Sequence, residues 1–445
     1  MRFNYRQILG LNYADEMPLP PAQDAGLRHL YTNGVFGMFS ENAAANYTNL
    51  YLLSLNASNA QIGLYNTLTQ VATAITPLPG AAIAERTGAY RGIILWPNMV
   101  ARIGFLLLAL LPVLMGPQSA WVVTAAMILL VGRTVLGQFT AATWTAFVGK
   151  LVPPRIRVRY FSARTFAMSI ASMLGTLIAG QIIAGFAAPV GYQIVFVMAG
   201  LIGFIASFAF ARIPRSQFPS KEQRQGDKET GGQVAEVSAK PDAPSLSPHL
   251  PFSLSALRKT HPMFLRYTLA GCLLALAVNI GGPFIQVYQA KVLGFSVAQI
   301  SYIVTAELIS SLVAGRVYGS WVFARFGDFR VMRVLRVLTA MVPFGWIFIQ
   351  NPILGALNQM IAGVVWSGHE LAAFNGLLSV TPEEGRARYI AINSFAVSIC
   401  AALGPVLGGL LSEAIGYQPL FALSAALRVA AGVLFIVLVK DWNKK

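Results

Sequence analysis

Among the ionisable side chains of this sequence, Glu41, Arg102, Arg133, Glu307, His369, Glu370 and Arg428 fall inside long apolar stretches. A charge at the centre of a bilayer costs roughly 2.5–3.5 kcal/mol on insertion scales, so each such group needs a reason. A carboxylate deprived of water can take up and release a proton, and an arginine can hold an anion or pair with a carboxylate. Neither Glu41 nor Glu370 has a cationic neighbour one turn away in its own stretch, which makes these two the expected carriers of an exchangeable proton. The competing expectation is a buried ion pair, across the molecule, with Arg102, Arg133 or Arg428. Glu307 ranks third, because Ser310 and Ser311 stand ready to satisfy it.

Polar residues accompany these groups at helical spacing. Asn42, Asn46 and Asn49 form one stripe beside Glu41, and Asn66, Thr69, Thr73 and Thr76 form another. Arg133, Gly137, Thr140 and Trp144 follow the same period, as do Gln359, Gly363, Trp366 and Glu370, while Asn279, Pro283 and Gln286 mark a further stretch. Converging from several stretches, these faces imply a central, water-accessible cavity. His369 and Glu370 are adjacent and so point about 100° apart on a helix, with no third ligand near; no metal site and no cofactor are expected. No nucleophile elbow, phosphate loop or Cys-x-x-Cys pair is legible, so the chain is not read as an enzyme.

The elements that must carry these groups follow from composition. The chain has 445 residues, 56% hydrophobic and 11% charged, with a mean hydropathy of +0.60; soluble chains carry roughly 25% charged residues. Twelve apolar spans are expected near 29–54, 60–84, 92–114, 120–148, 161–187, 190–211, 263–288, 297–323, 331–350, 353–379, 389–411 and 418–440. Continuous apolar runs without period-2 alternation exclude a barrel, so the fold is an all-α membrane protein. The formal charge of +16 is one-sided. Arg86, Arg91, Lys150, Arg155, Arg157, Arg159, Arg325, Arg330, Arg333, Arg386 and Arg388 occupy alternate loops, and the intervening loops offer little beyond Lys291 and Glu413. Such asymmetry marks the cytoplasmic side, rather than a nucleic-acid partner, and puts both termini inside. Cys272 and Cys400 lie within spans, and no cleaved signal peptide is expected.

Residues 213–262 are rich in Ser, Gly, Pro, Lys and Glu and read as a flexible cytoplasmic linker between six-span halves at 29–212 and 263–440, with a cytoplasmic segment at 1–28 and a tail at 441–445. The halves repeat one another. Ala-Gln-Ile recurs at 60–62 and 298–300, and Gly-Tyr-Gln at 191–193 and 416–418. Gly80, Arg86, Gly88 and Arg91 align with Gly319, Arg325, Gly327 and Arg330, and Arg157, Arg159, Tyr160 and Phe166 with Arg386, Arg388, Tyr389 and Phe395. On these features the sequence resembles the major facilitator superfamily over nearly its whole length. Gly80, Glu85, Arg86, Gly88 and Arg91 fit that family's loop pattern, with Glu for the usual Asp; the second copy has Ala324 in the acid's place. Arg-Thr-Val-Leu-Gly at 133–137 fits a second family element, whereas the antiporter glycine–proline motif is missing from span five and its nearest match, 404–409, lies in span eleven.

The resemblance implies two six-helix bundles rocking about a central site, with Glu85 and Arg86 latching the bundles when the cavity opens outward. The expected function is secondary transport of a small organic solute, proton-coupled and leaning toward export of amphipathic compounds, given Phe36, Phe39, Trp144, Trp366 and Phe374. The alternative is a proton symporter importing a polar or anionic metabolite, with Arg102 and Arg133 as counter-charges. Solute, protons and the lipid bilayer are the expected partners of a monomer in a bacterial inner membrane. A membrane-embedded enzyme and a non-transporting sensor remain as lesser readings.

Overall fold

The computed structural model describes residues 19–117, 119, 121–214, 261–382 and 386–439, except the side chains of Glu85, Lys150, Pro154, Val158, Ala387 and Arg388. The expected linker, N-terminal segment and tail therefore lie largely outside the described residues. All regular structure among the described residues is helical. Eight stretches are long and apolar enough to cross a membrane: 90–115, 122–149, 155–185, 190–211, 262–291, 297–326, 389–415 and 417–438. The remaining expected spans are also helical, but polar or interrupted.

The first half runs α1 (Pro21–Ala45), α2 (Thr48–Ser54), α3 (Asn59–Ile75), α4 (Pro77–Thr87), α5 (Tyr90–Met115), α6 (Val122–Leu151), α7 (Pro154–Gly185) and α8 (Val190–Ala211). The second runs α9 (Pro262–Gly281), α10 (Ile285–Lys291), α11 (Val297–Val317), α12 (Phe323–Phe326), α13 (Asp328–Leu338), α14 (Met341–Trp346), α15 (Pro352–Val380), α16 (Arg386–Ile415) and α17 (Tyr417–Leu438). A short tight helical turn at 282–284 joins α9 to α10, and a wide one at 318–322 joins α11 to α12. The first helix begins at Pro21, eight residues before the expected span, since proline is pre-shaped for a helix start and Asp24 suits the first turn.

The sequence repeats have structural causes. Ser58 and Gln61 cap the start of α3 reciprocally, and Ser296 and Gln299 do the same for α11, so the repeated Ala-Gln-Ile belongs to a duplicated capping box. The repeated Gly-Tyr-Gln builds duplicated aromatic clusters. Tyr51 meets Tyr192 at 5.7 Å and Phe196 at 4.8 Å, while Tyr288 meets Tyr417 at 5.7 Å and Phe421 at 5.3 Å. The glutamines pin neighbouring helices, Gln193 donating to the Ala109 carbonyl at 2.9 Å and Gln418 to that of Ile347 at 3.2 Å.

Packing repeats in the same way. Helix α1 packs on α7 and α8, α5 on α6 and α8, and α3–α4 on α6; the second half reproduces this with α9 on α16 and α17, α13 on α15 and α17, and α11 on α15. The halves meet chiefly through two equivalent contacts, α3 with α16 and α7 with α11, and also where α2 meets α10 and α3 meets the turn at 282–284. Polar ties between halves gather at the end that carries the loops poor in Lys and Arg. There Asn59 donates to Ser412 at 3.0 Å and accepts from Tyr417 at 3.0 Å, and the Glu413 carboxylate accepts from the Ala60 amide at 2.9 Å. Thr67 donates to the Ala402 carbonyl at 2.5 Å, and Asn49 to that of Pro283 at 3.2 Å. Glycines allow this closeness: a Cβ on Gly63 would strike the Pro405 carbonyl, and one on Gly409 would meet the Asn59 carbonyl at 2.6 Å. Toward the opposite end, which carries the basic loops, the described residues line a cleft that reaches Phe161, Arg316 and Phe374.

Candidate functional site

Of the expected polar groups, Glu41, Arg102 and Arg133 come together. From α1, Glu41 offers Oε1 to Arg102 Nη1 of α5, and Arg133 Nη2 of α6 reaches Oε1 at 3.2 Å and Oε2 at 3.0 Å. The ion pair thus forms within one half of the molecule rather than across it. Its members are also tied elsewhere: Arg133 Nε donates to the Ala101 carbonyl at 3.1 Å, and its guanidinium lies 3.5 Å from the Phe105 ring centroid. Arg102 contacts Ser40 Oγ at 3.3 Å. The guanidinium side chains are 8% and 10% exposed, but that of Glu41 is 40% exposed. One carboxylate therefore serves two arginines and is open on one side. Gly104 and Gly203 make room for them, since a Cβ at either would meet Arg133 or Arg102.

A cavity of about 270 Å³ lies inside this half, lined by Asn33, Asn98, Arg102, Trp144 and Arg164. Trp144, expected at the centre of the molecule, belongs here instead, with the Arg164 guanidinium 5.2 Å from its ring.

A second cavity, about 360 Å³, lies between the halves beneath the closed end. Asn46 and Asn49 of the first half line it, with Gln286, Gln289, Glu307, Gln359, Trp366 and Arg428 of the second. Asn46 donates to Thr176 at 2.8 Å. Glu307 accepts from Gln359 at 2.6 Å, and Gln359 in turn accepts from Trp346 Nε1 at 3.3 Å. Ser310 bonds the main-chain carbonyl of Glu307 and not its carboxylate.

The third space is that cleft, about 940 Å³, running toward the end with the basic loops. Met38, Asn42, Phe161, Phe166 and Met173 form one wall, and Arg316, Glu370, Leu371 and Phe374 the other. The Arg316 guanidinium stands 5.1 Å from the Phe166 ring across the cleft. Among the described residues neither Glu307 nor Glu370 has a basic group within ion-pair distance. His369 turns away from Glu370 into the second half, 8% exposed and edge-on to Trp366 at 5.5 Å.

The loop glycines and arginines have separate tasks. Gly80 admits the Phe139 backbone, and its carbonyl accepts from Thr143 at 3.3 Å, so it seats α4 on α6. Gly88, at φ 72°, ends α4 in a left-handed turn. Arg91 bonds the Ala211 carbonyl at the end of α8. Its structural counterpart is Arg333, bonded to the Val439 carbonyl at 2.7 Å past the end of α17, whereas the aligned Arg330 is exposed. The offset arises after the aligned glycines, since α13 starts at Asp328 directly behind Gly327, whereas α5 starts at Tyr90, with Ala89 between it and Gly88. Arg325 lies 5.7 Å from the Trp321 ring. Arg86 is exposed, and the Glu85 side chain lies outside the described residues.

Sequence reasoning passed over Arg164, Arg336 and the surroundings of Arg428. The first two are buried arginines inside expected spans, and their charge was the available signal.

A model of the Major Facilitator Superfamily matches residues 30–380. No curated protein matches the chain significantly. Among solved structures, the chain is similar to a bacterial homologue of the iron transporter ferroportin in an inward-facing state, at 14% identity and a TM-score of 0.69 over 94% of this chain and 99% of that one. It is also similar to a variant of the nucleoside transporter NupG (13% identity, TM-score 0.68, covering 93% and 99%). A third is a bacterial homologue of the human lysosomal transporter Spinster, inward-facing and unoccupied (13%, 0.66, 96% and 98%). At these identities the likeness is one of fold.

Proposed function

Because this chain belongs to the major facilitator superfamily, we propose that it exports a small amphipathic organic solute by alternating access, driven by protons. It is a multi-pass membrane transporter rather than an enzyme. The observation that supports the fuller reading is the shape of the space between the halves: a cleft of about 940 Å³ open at one end, beneath a seal of glycine contacts and hydrogen bonds at the other. With the basic loops cytoplasmic, this is an inward-facing state ready to load from the cytoplasm. The Met and Phe side chains along the cleft suit an apolar solute body. Arg86 is exposed here, in keeping with a latch that engages only when the cleft closes. Glu370 is the proton carrier in this scheme, since it faces the cleft without a basic partner, whereas Glu41 is held by two arginines.

Nitroxide pairs on cysteines introduced at Asn59 and Ser412, and at Ser162 and Phe374, test the scheme. On acidification the first pair should move apart as the second closes. Pairs that never change in opposite senses, in any solute or pH, refute alternating access. In vesicles, Glu370→Gln should abolish gradient-driven accumulation and leave exchange intact; a variant that still responds to the gradient removes Glu370 from the role.

A further inference from the structure

Arg428 is 2% exposed, and none of the described carboxylates lies within ion-pair reach of it. It has only main-chain partners: Nη1 donates to the Thr339 carbonyl at 2.9 Å and Nη2 to that of Val278 at 3.4 Å, while Nε has none. A guanidinium keeps its charge and presents five donors, so this one holds unspent hydrogen-bonding capacity. A buried charge without a counter-charge is costly to a fold. Among the described residues Arg164 and Arg336 are also buried without a carboxylate partner, but Arg164 lines the cavity inside the first half and not the one between the halves. Arg102 and Arg133 share Glu41, and Arg336 stacks over Phe435 at 4.1 Å away from the cavities. Arg428 alone among these lines the 360 Å³ cavity between the halves.

The same cavity holds the opposite chemistry. Glu307 contributes a carboxylate whose partner is the neutral amide of Gln359, and Gln289, 1% exposed, contributes an Oε1 with no donor. One free cation, one free anion and one free acceptor thus face a space of the size that small ligands occupy.

We propose that this cavity binds the polar end of a solute carrying both an acidic and a basic group, the acid on Arg428 and the ammonium against Glu307 and Gln289. Trp366, 6.0 Å from the Arg428 guanidinium, covers the adjoining part of the solute. The charges on the wall sum to zero, as do those on such a solute, so loading leaves no uncompensated charge in the membrane. A solute with an acid alone faces Glu307, and one with an amine alone faces Arg428. The assignment rests on the transport reading above and narrows its substrate to zwitterions with an apolar body.

The test uses the purified full chain and its thermal stabilisation by aliphatic amino acids, with the matched amine and matched carboxylate of every skeleton. Amino acids should bind about tenfold or more tightly than either single-charge analogue, the discrimination that one charge-assisted contact supplies. Arg428→Gln should abolish that preference, and Arg336→Gln, off the cavity, should retain it. If Arg428→Gln does not fold, Glu307→Gln decides, since it should shift preference toward the plain carboxylate. The proposal is overturned if no amino acid stabilises the wild type, if single-charge analogues bind equally well, or if Glu307→Gln keeps the wild-type order. The nitroxide distances report alternation independently, so moving labels with a failed panel would remove this subsite and leave the transporter reading standing.

Discussion

Glu41→Gln is the sharpest test of the buried charge cluster. The amide has the shape of the carboxylate but leaves Arg102 and Arg133 facing each other without a counter-charge. Removing one partner of a fully buried pair costs about 3–5 kcal/mol. The Glu41 side chain is 40% exposed, so screening lowers this, and about 2–3 kcal/mol is expected. For a unit the size of the first half, each kcal/mol moves the melting temperature by about 2–4 °C. A drop of roughly 4–12 °C should follow, read by thermal unfolding of the purified protein. Adding Arg102→Gln removes one stranded charge, while Arg133 keeps the Ala101 carbonyl and the Phe105 ring. The double variant should therefore melt above Glu41→Gln, a coupling of about 0.5–3 kcal/mol. A single-variant shift under about 1 °C, or strictly additive losses, would mean that the three groups do not act as one unit.

Further expectations concern the closed end. Asn59→Ala removes the bonds to Ser412 and Tyr417, each contributing about 0.5–1.5 kcal/mol, and should raise the population open at that end by about 5–150-fold. Maleimide labelling of a cysteine at Ser301, which is fully buried there, reads the change; an unaltered rate counts against the seal. Gly63→Val drives a side chain into the Pro405 carbonyl and should speed the same labelling, whereas Gly137→Ala, which meets nothing within 4 Å, should not.

What the sequence disclosed was whatever leaves a local mark. The capping boxes at Ser58 and Ser296 and the glutamines at Gln193 and Gln418 are short patterns with one geometric consequence each, and hydropathy located eight membrane-length helices, although the first helix starts eight residues before its expected span. Partnerships left no such mark. Glu41 and Arg102 are 61 residues apart, and Glu41 and Arg133 92; only the crossing of α1, α5 and α6 makes them a unit. Arg330 aligns with Arg91 in sequence, yet Arg333 makes the corresponding tie, because α13 starts directly after Gly327 and α5 does not start directly after Gly88. Trp144 and Glu370 both follow a polar helical period, yet one faces a cavity within its half and the other the cleft between halves. Periodicity identifies a shared face; it does not say which neighbour that face meets.

The seal made by Gly63 and Gly409 has a consequence for energy supply. Backbones that touch through glycine expose little side-chain surface at that contact when they part. Parting the end breaks the hydrogen bonds of Asn59, Ala60, Thr67 and Asn49, at about 1 kcal/mol each, and separates an apolar cluster shared by both halves. One elementary charge falling through 100 mV of membrane potential releases about 2.3 kcal/mol. A charge that moves with the transition therefore offsets about two of these bonds. The same molecule should divide its time differently between its two shapes in a polarised membrane and in a de-energised vesicle.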